Sequence, residues 1–100
     1  MKPRIASLIG IARKAGKVYS GESQVEALLK KKQGTLLIIA EDCPGAFTKF
    51  SRWAQDLGIP VIRTGSKLQL GSSIGLSPRS TILIDDQGFT KAILKEWEQT

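Results

Sequence analysis

Residues 35–40 of this 100-residue chain read TLLIIA, an uninterrupted apolar run that is followed by Glu41 and Asp42. Successive side chains of a strand point to opposite faces, so a strand that is apolar at every position has to be covered on both faces. A second long strand is predicted for TILID at residues 81–85. These runs predict a sheet that lies between two layers of helices.

The remaining chain alternates between strand-like and helix-like patterns. Apolar spacing and turn residues predict four strands, at residues 17–19, 35–40, 59–63 and 81–85. Five helical segments are predicted between and around them, bounded by residues 3–16, 20–34, 45–58, 66–75 and 87–97. The strict alternation predicts one α/β domain over residues 1–100, a three-layer α/β/α sandwich with a mixed sheet of about four strands.

Two of these helices carry more detailed predictions. In the second helix, Ser23 and Glu26 match the capping-box pattern, with Ser20 as the alternative cap. In the last helix, the 3–4 spacing of apolar residues predicts that four side chains face inward: Phe89, Ile93, Leu94 and Trp97.

The positive charge is concentrated in the first part of the chain. Fifteen Lys and Arg residues against nine acids give a net charge of +6. Residues 1–40 hold eight of the cations and two of the acids, whereas residues 41–100 hold seven of each and are neutral. A one-sided positive field indicates a polyanionic partner, most often nucleic acid, although a charge that serves only solubility is the alternative.

Several classes of chemistry lack the residues they need. The chain has no His, which removes Ser-His-Asp and Cys-His catalysis and the commonest metal ligand. Its one cysteine, Cys43, cannot form an intramolecular disulfide or a structural zinc site, and a cytoplasmic location is expected. No apolar run approaches the ~18 residues of a membrane span. No cofactor and no metal are therefore expected.

Three features form a candidate anion site. They are the start of the second helix from Ser20 to Gln24, the cations Lys14 and Lys17, and the loop at residues 76–79. A helix start offers free N–H groups and a positive dipole end to a phosphate. Gly21 allows close approach, and Ser23 and Gln24 can reach base edges. The alternative for each feature alone is capping and solvation.

Longer stretches resemble a known family. AGKVYSGESQVEALLKKKQGTLLIIAEDCP, GIPVI, LQLGSSIGL and TILIDDQGF are similar to the L7Ae/L30e ribosomal protein family, most of all to its bacterial YlxQ type. The similarity covers roughly residues 5–93. It implies an α/β/α sandwich that binds RNA, typically kink-turns with tandem sheared G·A pairs, and no enzyme activity.

The resemblance also assigns roles to residues. In archaeal and eukaryotic members the second helix opens with Gly-x-Asn-Glu followed by a Lys, and these groups contact the G·A pairs. Here Gly21 is retained, whereas Ser23, Gln24 and Ala27 stand in place of Asn, Glu and Lys. The family's second contact is a loop that packs on an extruded base, which corresponds here to Leu76–Ser80.

The leading hypothesis is a non-catalytic, monomeric RNA-binding protein, with a kink-turn as the candidate RNA and the ribosome or translation as the candidate context. The residues predicted to contact RNA are Lys14, Lys17, Gly21, Glu22, Ser23, Gln24, Lys30, Lys31, Leu76, Ser77, Pro78 and Arg79. The first alternative is a protein-interaction module whose basic face docks on an acidic partner. An enzyme that uses Cys43 ranks last.

Overall fold

The computed structural model describes residues 1–99, and a four-stranded sheet lies at its centre. The strands are β1 (Val18–Ser20), β2 (Leu36–Ile39), β3 (Val61–Arg63) and β4 (Thr81–Ile84). Their spatial order is β1-β4-β2-β3. β4 runs antiparallel to both β1 and β2, and β2 pairs in parallel with β3. The sheet is therefore mixed, as the sequence predicts, and β2 and β4 are its central strands.

Five helices cover the two faces of this sheet. They are α1 (Pro3–Lys14), α2 (Glu22–Lys30), α3 (Pro44–Asp56), α4 (Lys67–Ser73) and α5 (Gln87–Glu98). One hydrophobic cluster joins one face of the sheet to α1, α4 and α5, and a second cluster joins the other face to α2 and α3. This arrangement confirms the predicted three-layer α/β/α sandwich.

The central strand β2 supplies apolar side chains to both clusters. Leu36 and Ile38 face the layer of α1, α4 and α5, whereas Leu37 and Ile39 face α2 and α3. All four side chains are fully buried. The uninterrupted apolar run thus has the cause inferred from the sequence, because a strand between two helical layers has no solvent-facing side.

Two predictions about helix ends are wrong. α2 ends at Lys30, before Gly34, because Lys32 adopts a left-handed backbone conformation (φ 58°) that no helix continues through. Trp97 was predicted to face inward, but 41% of it is exposed. It lies in the last turn of α5, where the ammonium group of Lys2, near the start of the same chain, donates to the Glu96 and Gln99 carbonyls.

The direction of the strands gives the sheet two ends with different surroundings. Helices α2, α3 and α4 all begin at one end, beyond residues 20, 39 and 63, and we call this the helix-start end. The opposite end contains Lys14, Lys17, Lys30, Lys31 and Lys32, and we call it the lysine end. Across residues 1–99, no helix has the length and apolar character that crossing a membrane requires.

Candidate nucleic-acid interface

The start of α2 is shaped by a glycine. Gly21 precedes the helix with φ 89° and ψ 145°, a backbone conformation that side-chain-bearing residues rarely adopt. Its N–H donates to the Thr81 carbonyl over 3.2 Å, which ties the turn to β4. The predicted capping box is wrong: Ser23 lies inside the helix, and within residues 1–99 no side chain caps α2. The first N–H groups of α2 are therefore available at the surface.

Gln24 is held by a hydrogen bond to the preceding turn. The Ser20 N–H donates to Gln24 Oε1 over 3.2 Å. Because a backbone N–H can only donate, this contact determines which end of the amide faces Ser20. The amide nitrogen, Nε2, consequently takes no part in this contact.

The loop formed by Leu76–Ser80 rests directly on α4. Gly71, which is buried in α4, makes this possible, because a Cβ atom there would lie 2.1 Å from the Ser77 carbonyl oxygen. Two backbone hydrogen bonds secure the loop: the Leu76 N–H donates to the Gly71 carbonyl and the Arg79 N–H to the Lys67 carbonyl, each over 2.9 Å. The loop is thus a fixed part of the surface.

Arg79 is oriented by its own loop. Its Nη1 donates to the Ser77 carbonyl at 3.0 Å, to Ser77 Oγ at 2.7 Å and to the Pro78 carbonyl at 3.1 Å. Within residues 1–99, Nε and Nη2 of this half-buried guanidinium have no hydrogen-bond acceptor. The contacts leave a positioned cation with two unused donor nitrogens.

The start of α2 and the loop meet in one open groove at the helix-start end. Ser80 Oγ and Glu22 Oε2 lie 3.2 Å apart and link the two sides. The groove has a volume of about 510 Å³. Its lining carries one acid and one cation and is therefore close to neutral; the residues are Ser20, Gly21, Glu22, Ser23, Gln24, Pro78, Arg79 and Ser80.

The predicted lysines lie elsewhere. Lys17 is four residues from Gly21 along β1, a separation of about 13 Å, and α2 places Lys30 about 14 Å from Gly21. Lys14 lies at the end of α1, one short turn from Lys17, and Lys31 follows Lys30. The structure therefore brings α2 and the loop together but holds all four lysines at the lysine end.

These lysines are exposed and weakly paired. Lys30 Nζ lies 3.7 Å from Glu26, but Lys49 lies closer to the same carboxyl group, at 3.1 Å. The hydrogen bond from Lys49 is the main reason why the pKa of Glu26 is lowered. An exposed pair of this kind contributes little stability, so Glu26 restrains Lys30 only weakly.

Catalytic chemistry gains no support from the one thiol. Burial raises the pKa of Cys43, and the adjacent Asp42 carboxylate, whose Oδ1 is 3.6 Å from Sγ, raises it further. A thiol with a raised pKa is a poor nucleophile, because the reactive form is the thiolate. Over the described part of the chain, no group of three or more His, Cys, Asp or Glu residues is arranged to hold a metal ion.

Sequence reasoning missed the part of Gly71 in building the groove, and it placed Ser80 in the contact loop without predicting what Ser80 contacts. Ser80 contacts Glu22, and Gly71 provides the seat for the loop. Gly71 interrupts the helical stretch LQLGSS, and an isolated glycine within a helix often marks a close packing contact. The sequence therefore contained a signal for a close contact at Gly71. The contact of Ser80 with Glu22 had no such signal, because it joins residues that are 58 positions apart.

Comparison with known proteins agrees with this architecture. The "RNA-binding protein YlxQ" of Bacillus subtilis is 30% identical over 88 residues, which cover 87% of this chain and 88% of that protein. The large ribosomal subunit protein eL8 of Thermoplasma volcanium is 26% identical over 90 residues, which cover 88% and 74% of the two chains.

Two solved structures share the fold. A Bacillus halodurans protein of unknown function superposes with a TM-score of 0.88 at 29% identity, and the match covers 94% of this chain and 96% of that one. The Giardia lamblia 15.5kD RNA binding protein has a TM-score of 0.78 at 17% identity, with 95% and 86% covered. The family description "Ribosomal protein L7Ae/L30e/S12e/Gadd45" matches residues 4–94. With nearly the whole chain matched, this protein belongs to the L7Ae/L30e/S12e/Gadd45 family and is of the YlxQ-like type.

Proposed function

We propose that this protein is a non-catalytic RNA-binding protein that recognises an irregular, folded RNA rather than a regular duplex. The observation that carries the proposal is the groove in which the start of α2 meets the Leu76–Ser80 loop. The family resemblance assigns RNA contacts to these two segments, and two relatives are named as RNA-binding proteins.

The two ends of the molecule have different parts in this proposal. The groove is close to neutral and presents positioned polar groups, which suits contacts to bases. The lysine end carries the charge that attracts and holds phosphates, and such contacts add affinity without sequence information. An RNA that touches both ends has to extend over about 13 Å along β1.

The proposed RNA is a kink-turn or a related internal loop, and the proposed context is the ribosome or translation in the cytoplasm. Unpaired or non-canonical purines expose base edges, whereas the deep major groove of regular A-form RNA is closed to side chains. Docking on an acidic protein, the alternative raised by the sequence, finds no support in the relatives described above. We therefore propose RNA alone.

The test is a binding titration with two RNA hairpins at near-physiological salt. One hairpin contains an internal loop with tandem G·A pairs, and the other has the same stem fully paired. We expect clear preference for the internal-loop hairpin. Equal affinity for the two hairpins refutes the proposal.

Two variants separate the two ends. Gln24→Ala is expected to weaken binding to the internal-loop hairpin by about 1–3 kcal/mol, with little change for the paired hairpin. Lys31→Ala is expected to weaken binding to both hairpins equally and to lower the slope of log K against log salt by about 1. The same effect of both variants on the salt slope contradicts the division of roles.

A further inference from the structure

We propose that a second cavity of this protein, between α1 and α4, takes an unpaired nucleotide of the bound RNA, with the base inside the cavity and the phosphates at its rim. We call this cavity the α1–α4 cleft. It is lined by residues 73–75 and by one side of α1: Ala6, Ser7, Gly10, Ile11, Arg13 and Lys14. It shares no residue with the groove described above. The inference rests on the proposed function, because it adds a second contact for the same RNA.

The α1–α4 cleft has room for a nucleotide and an apolar floor. Its volume is about 720 Å³, which lies within the usual range of small-ligand sites. Ile74 is buried at the floor, whereas Ile11 forms a wall and is 54% exposed. At Gly10 the two helices lie so close that a Cβ atom would come within 3.1 Å of the Ser73 carbonyl oxygen, which closes the bottom of the cleft. A base that covers Ile11 removes apolar surface from water.

Two cations form the rim of the cleft. Arg13 and Lys14 are exposed, and within residues 1–99 neither side chain takes part in a salt bridge. The Arg13 guanidinium lies beside Gly75, where a Cβ atom would be 3.6 Å from Nη1. The lining contains no acid, and neither do α1 and α4 as a whole. This charge suits a phosphate, and a flat guanidinium can also stack on a base.

The position of the cleft favours RNA as its occupant. α4 begins at the helix-start end, so residues 73–75 lie at the lysine end together with the last turn of α1. The rim is therefore continuous with the cations to which we assign RNA phosphates. Proteins that bind single-stranded nucleic acid combine a cationic path for the backbone with surfaces on which bases stack, and they tolerate many base sequences. The cleft offers the same combination.

An NMR titration with single-stranded tetrauridylate tests this inference. The matched ligand is an abasic tetramer, which has the same phosphates but no bases. We expect tetrauridylate to shift the methyl resonances of Ile11 and Ile74, and the abasic tetramer to bind about five- to tenfold more weakly. Equal affinity of the two tetramers overturns the inference, because the cations then bind phosphates without a base. Shifts confined to the groove between α2 and the Leu76–Ser80 loop also overturn it.

Arg13→Lys separates the flat guanidinium from its charge. Lysine keeps the charge but cannot stack, so we expect tetrauridylate to bind about fivefold more weakly and the abasic tetramer to stay within about twofold. Arg4→Lys is the matched control, because Arg4 lies on the same helix but outside the cleft, and its contact with Glu96 is exposed. If Arg4→Lys and Arg13→Lys have the same effect on tetrauridylate, the inference is wrong.

Ile11→Ala tests the apolar wall. Ile11 and Leu68 are 54% and 64% exposed, so shortening either side chain costs little stability, but only Ile11 lines the cleft. We expect Ile11→Ala to weaken tetrauridylate binding by about threefold and Leu68→Ala to leave it unchanged. A larger effect of Leu68→Ala places the bases elsewhere on α4 and contradicts the inference.

Other occupants of the cleft give different results. If the ligand is a free nucleotide, uridine monophosphate binds as tightly as tetrauridylate. If it is an acidic protein segment, a glutamate-rich amphipathic peptide displaces tetrauridylate at a lower concentration than tetrauridylate itself requires. Either result overturns the inference.

The proposed function and this inference fail in different experiments. If the unmodified protein does not prefer the internal-loop hairpin to the paired hairpin, the proposed function fails. If it prefers the internal-loop hairpin but binds tetrauridylate no better than the abasic tetramer, only the inference fails.

Discussion

The contact between Gly71 and the Leu76–Ser80 loop leads to a quantitative prediction. Substituting Gly71 by Ala places a Cβ atom 2.1 Å from the Ser77 carbonyl oxygen, 2.7 Å from the Ser77 carbonyl carbon and 2.9 Å from the Pro78 Cα. The shortest of these distances is about 1.3 Å below the 3.4 Å at which ordinary contact begins. All three atoms belong to the backbone, so no side-chain rotation can relieve the overlap.

The expected magnitude follows from two opposing effects. Forcing extra volume into a packed site costs typically 1–3 kcal/mol, and the backbone overlap here justifies about 3 kcal/mol. Alanine in place of glycine within a helix stabilises the helix by about 1 kcal/mol. We therefore expect Gly71→Ala to lower the free energy of unfolding by about 2 kcal/mol, which corresponds to a fall in Tm of about 8–16 °C for a domain of this size.

Urea unfolding monitored by circular dichroism measures this change, and Gly45→Ala provides the control. Gly45 also lies in a helix, but a Cβ atom there meets nothing within 4 Å. Its substitution is expected to leave stability unchanged or to raise it by up to about 1 kcal/mol. A Gly71→Ala variant that is as stable as Gly45→Ala refutes the reasoning, because the loop then does not rest on α4 as described.

Three further predictions concern single side chains. Thr81→Val is expected to raise the free energy of unfolding by about 1 kcal/mol in urea denaturation, because Thr81 Oγ1 is buried and has no hydrogen-bond partner within residues 1–99; a loss of stability contradicts this. Cys43 is expected to react with iodoacetamide more slowly in the folded than in the urea-unfolded protein across pH 7–9, because burial raises its pKa; equal rates contradict this. The Asp42 carboxyl is expected to titrate by NMR below about pH 3.9, because the Lys67 backbone N–H donates to it over 2.9 Å and lowers its pKa. The stability that this contact supplies is then complete above that pH and is lost as the pH falls through the folded-state pKa, and a midpoint at or above 3.9 contradicts the assignment.

The layers of the fold were predictable because they depend on local patterns. The apolar run at residues 35–40 has a single physical explanation, a strand with helices on both sides, and the alternation of elements supplies those helices. The position of Trp97 was not predictable in the same way. Its spacing from Ile93 places it on the buried stripe, but the stripe extends further than the surface against which α5 packs.

The groove was only partly predictable, because its geometry depends on contacts between distant segments. Family resemblance singled out the start of α2 and the Leu76–Ser80 loop. The sequence predicts that the lysines near Gly21 belong to the same site, but the length of β1 holds Lys17 at the opposite end of the sheet. The orientation of Gln24 depends on a hydrogen bond from the Ser20 N–H. No pattern in the sequence predicts this hydrogen bond.

The two outer strands have a consequence for the behaviour of this protein in concentrated solution. β1 and β3, at the edges of the sheet, contain only three residues each, so each offers few unpaired backbone groups to a strand of another molecule. Lys17 precedes β1 directly, and Arg63 is exposed within β3. Short edges and cations at the edges are devices by which proteins prevent edge-to-edge aggregation. Lys17, which we propose attracts a polyanion, thus also disfavours the pairing of edge strand β1 with a second copy of the chain.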